Sequence, residues 1–126
     1  MFSLKFGSHF DAAHYLRDYE GKCSRVHGHR WQVEGQVSGE KLGPNGILVD
    51  FHDLKSWLKE CCDSFDHYLI NELPGFGVGE LNPTAENLAW FLYGKLRDRI
   101  AKDFPQVSLD YITVWESPNC GATYRD

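Results

Sequence analysis

Long apolar runs are the first thing this 126-residue sequence lacks. Lys5 breaks the one early apolar stretch, and no segment approaches the ~20 residues needed to cross a bilayer. Neither a secretory leader nor a membrane span is expected, which predicts a soluble, cytoplasmic protein. Basic residues are in deficit as well: 13 Lys and Arg stand against 18 Asp and Glu, for a formal net charge of -5. A general nucleic-acid binder gathers an excess of Lys and Arg on one face, so no nucleic-acid partner is expected. An anionic ligand would have to be held locally. Arg17, Lys22, Arg25 and Arg30 form one such local group, and ordinary solvated surface charge accounts for them equally well. A disulfide framework is also missing. Cys61 and Cys62 are adjacent while Cys23 and Cys120 stand alone, a distribution that predicts reduced thiols. Repeats, linkers and low-complexity segments are absent too. A single domain over residues 1–126 is therefore expected, long enough to bury a core of its own.

Periodicity is what the chain does have. Phe2, Leu4, Phe6 and Phe10 alternate with Ser3 and Lys5, which predicts a first strand over residues 2–10. From His27 to Val37 the same period places Trp31, Val33 and Val37 on one face, with Gly35 between them and His27 and His29 in the same parity. Leu42 to Gly46 reads as a turn and Ile47 to Val49 as a short extended piece. A helix follows, N-capped by Asp50, with Phe51, Leu54, Trp57, Leu58 and Cys61 as its buried stripe. Beyond a Gly-rich loop at Pro74 to Gly79, Thr84 is the N-cap of a second helix that buries Ala85, Leu88, Leu92, Leu96 and Ile100. The last third alternates again, with Ile112, Val114 and Glu116 on one face and Leu109, Tyr111 and Trp115 on the other; a final strand is expected at Ala122 to Tyr124. The order ββααββ predicts an α+β fold, a four-stranded antiparallel sheet with both helices on one face. The apolar residues left on the other face point to a partner subunit.

The histidines carry the strongest chemical signal. Successive strand side chains point to opposite faces, so His27-Gly28-His29 directs both imidazoles the same way. His14, just after the first strand, supplies a third ligand if the two strands pair. Three imidazoles leave one position of a zinc ion free for water or a substrate oxygen, as catalytic sites require, whereas a closed structural site would usually recruit cysteine too. Cys23 lies four residues before His27 between Lys22 and Arg25, a setting that favours a thiolate acting as base or nucleophile. A fourth zinc ligand and an inert loop thiol are the alternatives. Asp66-His67 couples a carboxylate to an imidazole and can orient the ring, although a helix-end capping pair looks the same in sequence. Glu116 ends an apolar strand face, where its carboxylate either accepts paired N–H bonds from a flat heterocyclic edge or simply faces solvent.

Six segments in register resemble the 6-pyruvoyltetrahydropterin synthase family along nearly the whole chain. They are Phe10 to His14, Cys23 to His29, Val49 to Phe51, Phe65 to His67, Asn82 to Leu88 and Trp115 to Ser117. The three residues between Cys23 and His27 resemble the family's 6-carboxytetrahydropterin synthase branch, which serves queuosine biosynthesis. The resemblance implies the tunnelling fold. It also implies a reaction turning 7,8-dihydroneopterin triphosphate into 6-carboxytetrahydropterin, acetaldehyde and triphosphate; a pyruvoyl-forming synthase or a pterin side-chain lyase is the runner-up. A zinc-stabilised binding module without turnover is the alternative of a different class. Carried over by position, His14, His27 and His29 bind zinc, Cys23 accepts a proton with help from Asp66 and His67, Glu116 anchors the pterin, and Thr84 helps to hold it. The resemblance further implies paired trimers forming hexamers, in which the Asp-His pair of one subunit reaches the zinc and cysteine of a neighbour.

Overall fold

The computed structural model describes residues 1–126. Strand β1 runs from Phe2 to His14 and strand β2 from His27 to Gly39. Helix α1 spans Phe51–Asp63, helix α2 spans Ala85–Asp103, and strands β3 (Ser108–Ser117) and β4 (Cys120–Tyr124) complete the ββααββ order. The strands form one antiparallel sheet in the order β1-β2-β3-β4. Helix α1 lies against β1, and α2 against β3 and β4. Phe10 and Trp31 of the sheet, Leu54 and Leu58 of α1, and Leu88 and Leu92 of α2 are buried in one continuous apolar cluster. No helix is long and apolar enough to cross a membrane.

Local chemistry explains the element ends. Asp50 Oδ1 accepts from the His52 N–H at 2.8 Å and Thr84 Oγ1 accepts from the Asn87 N–H at 3.1 Å, so both expected N-caps satisfy a first-turn donor. The buried line of α1 is Leu54, Leu58 and Cys62 with Trp57 beside it. Phe51, expected on that stripe, is instead exposed at the first helical position, and Cys61 is only half-buried, because spacings of four align 54, 58 and 62. Strand β1 continues four residues past Phe10, because β2 pairs with it residue for residue as far as His14 and His27. Strand β4 likewise begins two residues earlier than the expected Ala122.

Two local features shape the sheet. At Gly35 any Cβ would lie 2.6 Å from the Phe6 ring, so only glycine lets β1 seat that phenylalanine against β2. The second feature corrects a sequence expectation. Between Gln36 and Val37 the register with β3 jumps from Tyr111 to Leu109, leaving Asp110 as an extra residue. This bulge reverses the alternation, so Leu109 is buried with Ile112 and Val114 instead of sharing the outer face with Tyr111 and Trp115. Gln36 Nε2 and Ser38 Oγ donate to the Asp110 carboxylate at 2.9 and 2.6 Å, which fixes the bulge. The outer face is therefore less apolar than strict alternation predicts: Tyr111 there donates to Glu34 Oε2 at 2.9 Å.

Candidate metal centre and active site

Strand pairing assembles the histidines. His14 faces His27 directly across the β1–β2 ladder, and Ala12 faces His29, so three imidazoles of one parity meet at one end of the inner face. His14 is fully buried, and the indole of Trp31 meets the rings of both His14 and His29 edge-on, with centroids 4.8 and 5.2 Å away. Trp31 Nε1 donates to the Ala12 carbonyl at 3.2 Å, which locks that wall in place.

The outer nitrogens of two rings are already engaged. His14 Nδ1 lies 2.7 Å from the Pro83 carbonyl, and His27 Nδ1 lies 2.7 Å from the Arg25 carbonyl. A carbonyl only accepts, so these partners assign the proton to Nδ1 in each ring and leave Nε2 as a lone pair. The two Nε2 atoms face each other at 3.0 Å. Two lone pairs at that separation require a cation. A proton is disfavoured at His14, whose pKa is depressed first by burial and further by the neighbouring His27 and His29, against the opposing pull of the Pro83 bond and Glu116. Burial also lowers the pKa of His29, with His27 adding to the effect and Glu116 opposing it. His29 Nε2 is buried without a hydrogen-bond partner. Glu116 Oε1 comes within 3.4 Å of His14 Nε2 and 3.3 Å of His29 Nε2.

These four donor atoms lie within 4.8 Å of one another and could hold a metal ion. Two nitrogens on one tetrahedral zinc at ~2.0–2.1 Å are separated by roughly 3.3 Å, so the spacing and the donor types fit zinc. The orphaned His29 nitrogen and the facing lone pairs are what a cation would satisfy. Glu116, expected as a heterocycle anchor, is directed at the imidazoles in this structure.

Cys23 sits in a 3-10 turn, Lys22–Ser24, between the two histidine-bearing strands; its carbonyl accepts from Leu16 N–H at 2.9 Å and its side chain is half-buried. Its thiol is not among the gathered donors. Asp66 and His67 follow α1 along the free edge of β1. His67 Nδ1 donates to Asp66 Oδ2 at 2.8 Å, which leaves its Nε2 free, and the ring is 79% exposed. The Asp11 N–H holds Asp66 Oδ1 at 2.8 Å, so this carboxylate orients a ring and does not cap the helix. That backbone bond, then His67, draws the Asp66 pKa below the ordinary carboxylate value. His67 opens on a hollow of about 520 Å³ that Asp11, Gly28, His29, Arg30 and Tyr68 also line, and it is not among the gathered donors. A hollow of about 370 Å³ between the helices, over Trp57, Phe65 and Phe91, contains none of these residues.

Thr84, expected to help hold the pterin, is half-buried with its oxygen engaged as the α2 cap; other groups were not legible as site residues, and among them the Pro83 carbonyl fixes the His14 tautomer. Asn82 accepts from the Arg17 N–H at 3.0 Å and donates to its carbonyl at 3.2 Å; buried Asn71 clamps Tyr15 in the same way at 2.9 Å on each side. The run Asn82-Pro83-Thr84 was the one available signal, and its reason is the backbone it holds behind His14. Of the four cations, Arg17 Nη2 is turned onto the Leu81 carbonyl at 2.8 Å and Arg30 is paired with Asp11, whereas Lys22 and Arg25 have no ion-pair partner.

Known proteins carry the same plan. The family model described as 6-pyruvoyl tetrahydropterin synthase matches residues 3–126. A 6-carboxy-5,6,7,8-tetrahydropterin synthase of Haemophilus influenzae is 32% identical, with the alignment covering all of both chains. A protein of that name from Bacillus subtilis is also 32% identical, over 98% of this chain and 85% of its own. Among solved structures, the 6-pyruvoyl tetrahydropterin synthase of Caenorhabditis elegans superposes with a TM-score of 0.86 at 25% identity, covering 99% of this chain and 95% of that one. With its histidine centre assembled by strand pairing and the match running almost end to end, this chain belongs to the 6-pyruvoyl tetrahydropterin synthase family.

Proposed function

We propose that the protein is a zinc-dependent 6-carboxy-5,6,7,8-tetrahydropterin synthase, acting as a single domain on 7,8-dihydroneopterin triphosphate to give 6-carboxytetrahydropterin, acetaldehyde and triphosphate for queuosine biosynthesis. The observation that carries this reading is the convergence of three Nε2 atoms and one carboxylate, two of the rings being set by backbone carbonyls to present lone pairs. The relatives named for this activity, one aligned over its whole length, support the choice within the family.

His14, His27 and His29 would hold the metal, which supplies a Lewis acid that polarises the substrate's side-chain oxygens and makes the adjacent C–H more acidic. Cys23, between the histidine-bearing strands, accepts the proton. His67 has a free Nε2 because Asp66 occupies its Nδ1, so it can pass a proton on the other side of the reacting carbon. Glu116 stands on the strand face beside the histidines and turns from them to accept the pterin's N–H groups. Thr84 keeps its hydroxyl proton for the ligand while its oxygen caps α2. Lys22 and Arg25, which flank Cys23 and pair with no carboxylate, would be free to meet the triphosphate. The exposed His67 outside its own chain's histidine group supports a site shared between subunits, with a trimer-based hexamer in the cytoplasm as the working assembly.

Incubation with 7,8-dihydroneopterin triphosphate and identification of the pterin product tests the reading. 6-Carboxytetrahydropterin with acetaldehyde is expected; 6-pyruvoyltetrahydropterin as the sole product would overturn it.

A further inference from the structure

The outward-facing pair Asp11 and Arg30 belongs to no role assigned above. The two residues are direct partners in the β1–β2 register. Arg30 Nε and Nη2 donate to the two Asp11 carboxylate oxygens at 2.9 and 3.0 Å, a fork-to-fork pairing. The backbone of the same aspartate holds the Asp66–His67 pair from both sides. Its N–H donates to Asp66 Oδ1 at 2.8 Å, and its carbonyl accepts from the His67 N–H at 2.6 Å. Two residues on, the Ala13 N–H donates to the Tyr68 carbonyl at 3.0 Å. These bonds hold His67 at φ +62, a conformation uncommon outside glycine.

Charge follows the same geometry. Asp11 puts a second carboxylate beside the pair: its charge acts on Asp66 and is felt by His67, while Arg30 acts on both carboxylates. His9 is the other titratable group acting on Asp11. Without Arg30, two anionic side chains would share the neighbourhood of one imidazole, which stabilises the imidazolium and makes proton release harder. With Arg30 present, much of the Asp11 charge is offset by its own partner.

We propose that Asp11 and Arg30 are positioning residues for the Asp66–His67 pair: the Asp11 backbone fixes the pair at the β1 edge, and Arg30 offsets the Asp11 charge so that Asp66 is the carboxylate that chiefly governs the His67 proton. This rests on the reading of His67 as a proton carrier in pterin turnover.

Three variants of the full protein test it: Arg30→Gln, Arg30→Lys, and Arg30→Gln combined with Asp11→Asn. Arg30→Gln should lower kcat about ten-fold, a fraction of what a positioned acid–base group contributes, with KM and metal content unchanged. Arg30→Lys keeps the charge and should retain most of kcat. The double variant removes both charges and should recover most of what the single variant lost. Nuclear magnetic resonance reads the same network without turnover: the His67 titration midpoint should move to higher pH in Arg30→Gln and return in the double variant. A rise in KM at constant kcat would make Arg30 a substrate contact and overturn the proposal, as would one titration midpoint shared by all the proteins. If the unsubstituted protein failed to turn over the pterin triphosphate, the functional reading would fall, while the titration would still decide whether Arg30 shields His67.

Discussion

His14 shows how much one residue's neighbours decide. The imidazole is fully buried, its Nδ1 is spent on the Pro83 carbonyl, and its Nε2 looks at His27 Nε2 across 3.0 Å. Burial favours the neutral form of His14 and His29 in the folded, metal-free chain, which is the ligand form a metal needs. The sign of the resulting pH dependence is fixed. Both folded pKa values lie below the unfolded value near 6.5, so the unfolded chain binds more protons as the pH falls below it. Their stabilising contribution is complete above that value and is lost on acidification through the lowered folded values. The denaturation midpoint of chelated protein should therefore be flat above about pH 7 and decline as the pH falls below about 6.5. Asp11 and Asp66, drawn down chiefly by Arg30 and by the Asp11 N–H respectively, contribute only at more acid pH. A midpoint unchanged over that window would contradict the assignment of neutral buried rings. Burial acts on the Cys62 thiol in the opposite sense, raising it to about 12, which leaves it inert beside the accessible Cys120.

At the scale of elements, the β1–β2 ladder builds the centre and the loops behind it set its chemistry. The ladder depends on a close approach at Gly35, where a Cβ would meet Phe6 at 2.6 Å and Ile112 at 3.0 Å. Gly35→Ala should destabilise the fold by about 1–3 kcal/mol through overpacking. The check is the urea midpoint of the variant at constant slope, and a midpoint equal to that of the unsubstituted protein would show that Phe6 repacks freely. Strand β3 depends on the Asp110 bulge, which turns Leu109 into the core and leaves Glu116 at the histidine end of the sheet. Asn71 in the short 3-10 turn Ile70–Glu72 and Asn82 in a loop clamp the chain just after His14 with their side-chain amides. Loops fixed in this way hold a ligand tautomer as firmly as a strand would.

For the whole molecule, the proposed reaction draws on groups carried by different elements. Cys23 lies between the histidine strands, and His67 lies on the outer edge of β1. Cys23→Ala and His67→Ala proteins should each retain metal and form no product. Mixed after reversible dissociation, they should recover up to about a quarter of the original activity, the share expected when each site takes one group from each of two randomly mixed chains. An activity that stays at the level of the separate variants would place each site within one subunit. Much of this architecture was legible in the sequence, because strand parity and helical spacing are local: His27-Gly28-His29 had to point one way, and Leu88, Leu92 and Leu96 had to share a face. The caps at Asp50 and Thr84 were legible for the same reason. What stayed hidden depends on pairings between distant residues. The bulge at Asp110 exists only where β2 meets β3, the His14 proton is placed by a carbonyl 69 positions away, and the Asp11 backbone meets Asp66 across 55. The sequence by itself determined that His27 and His29 share a face; the tertiary structure decided that His14 joins them, which nitrogen of each ring carries the proton and where Glu116 points, because those follow from strand pairing and hydrogen-bond partners that only folding brings together.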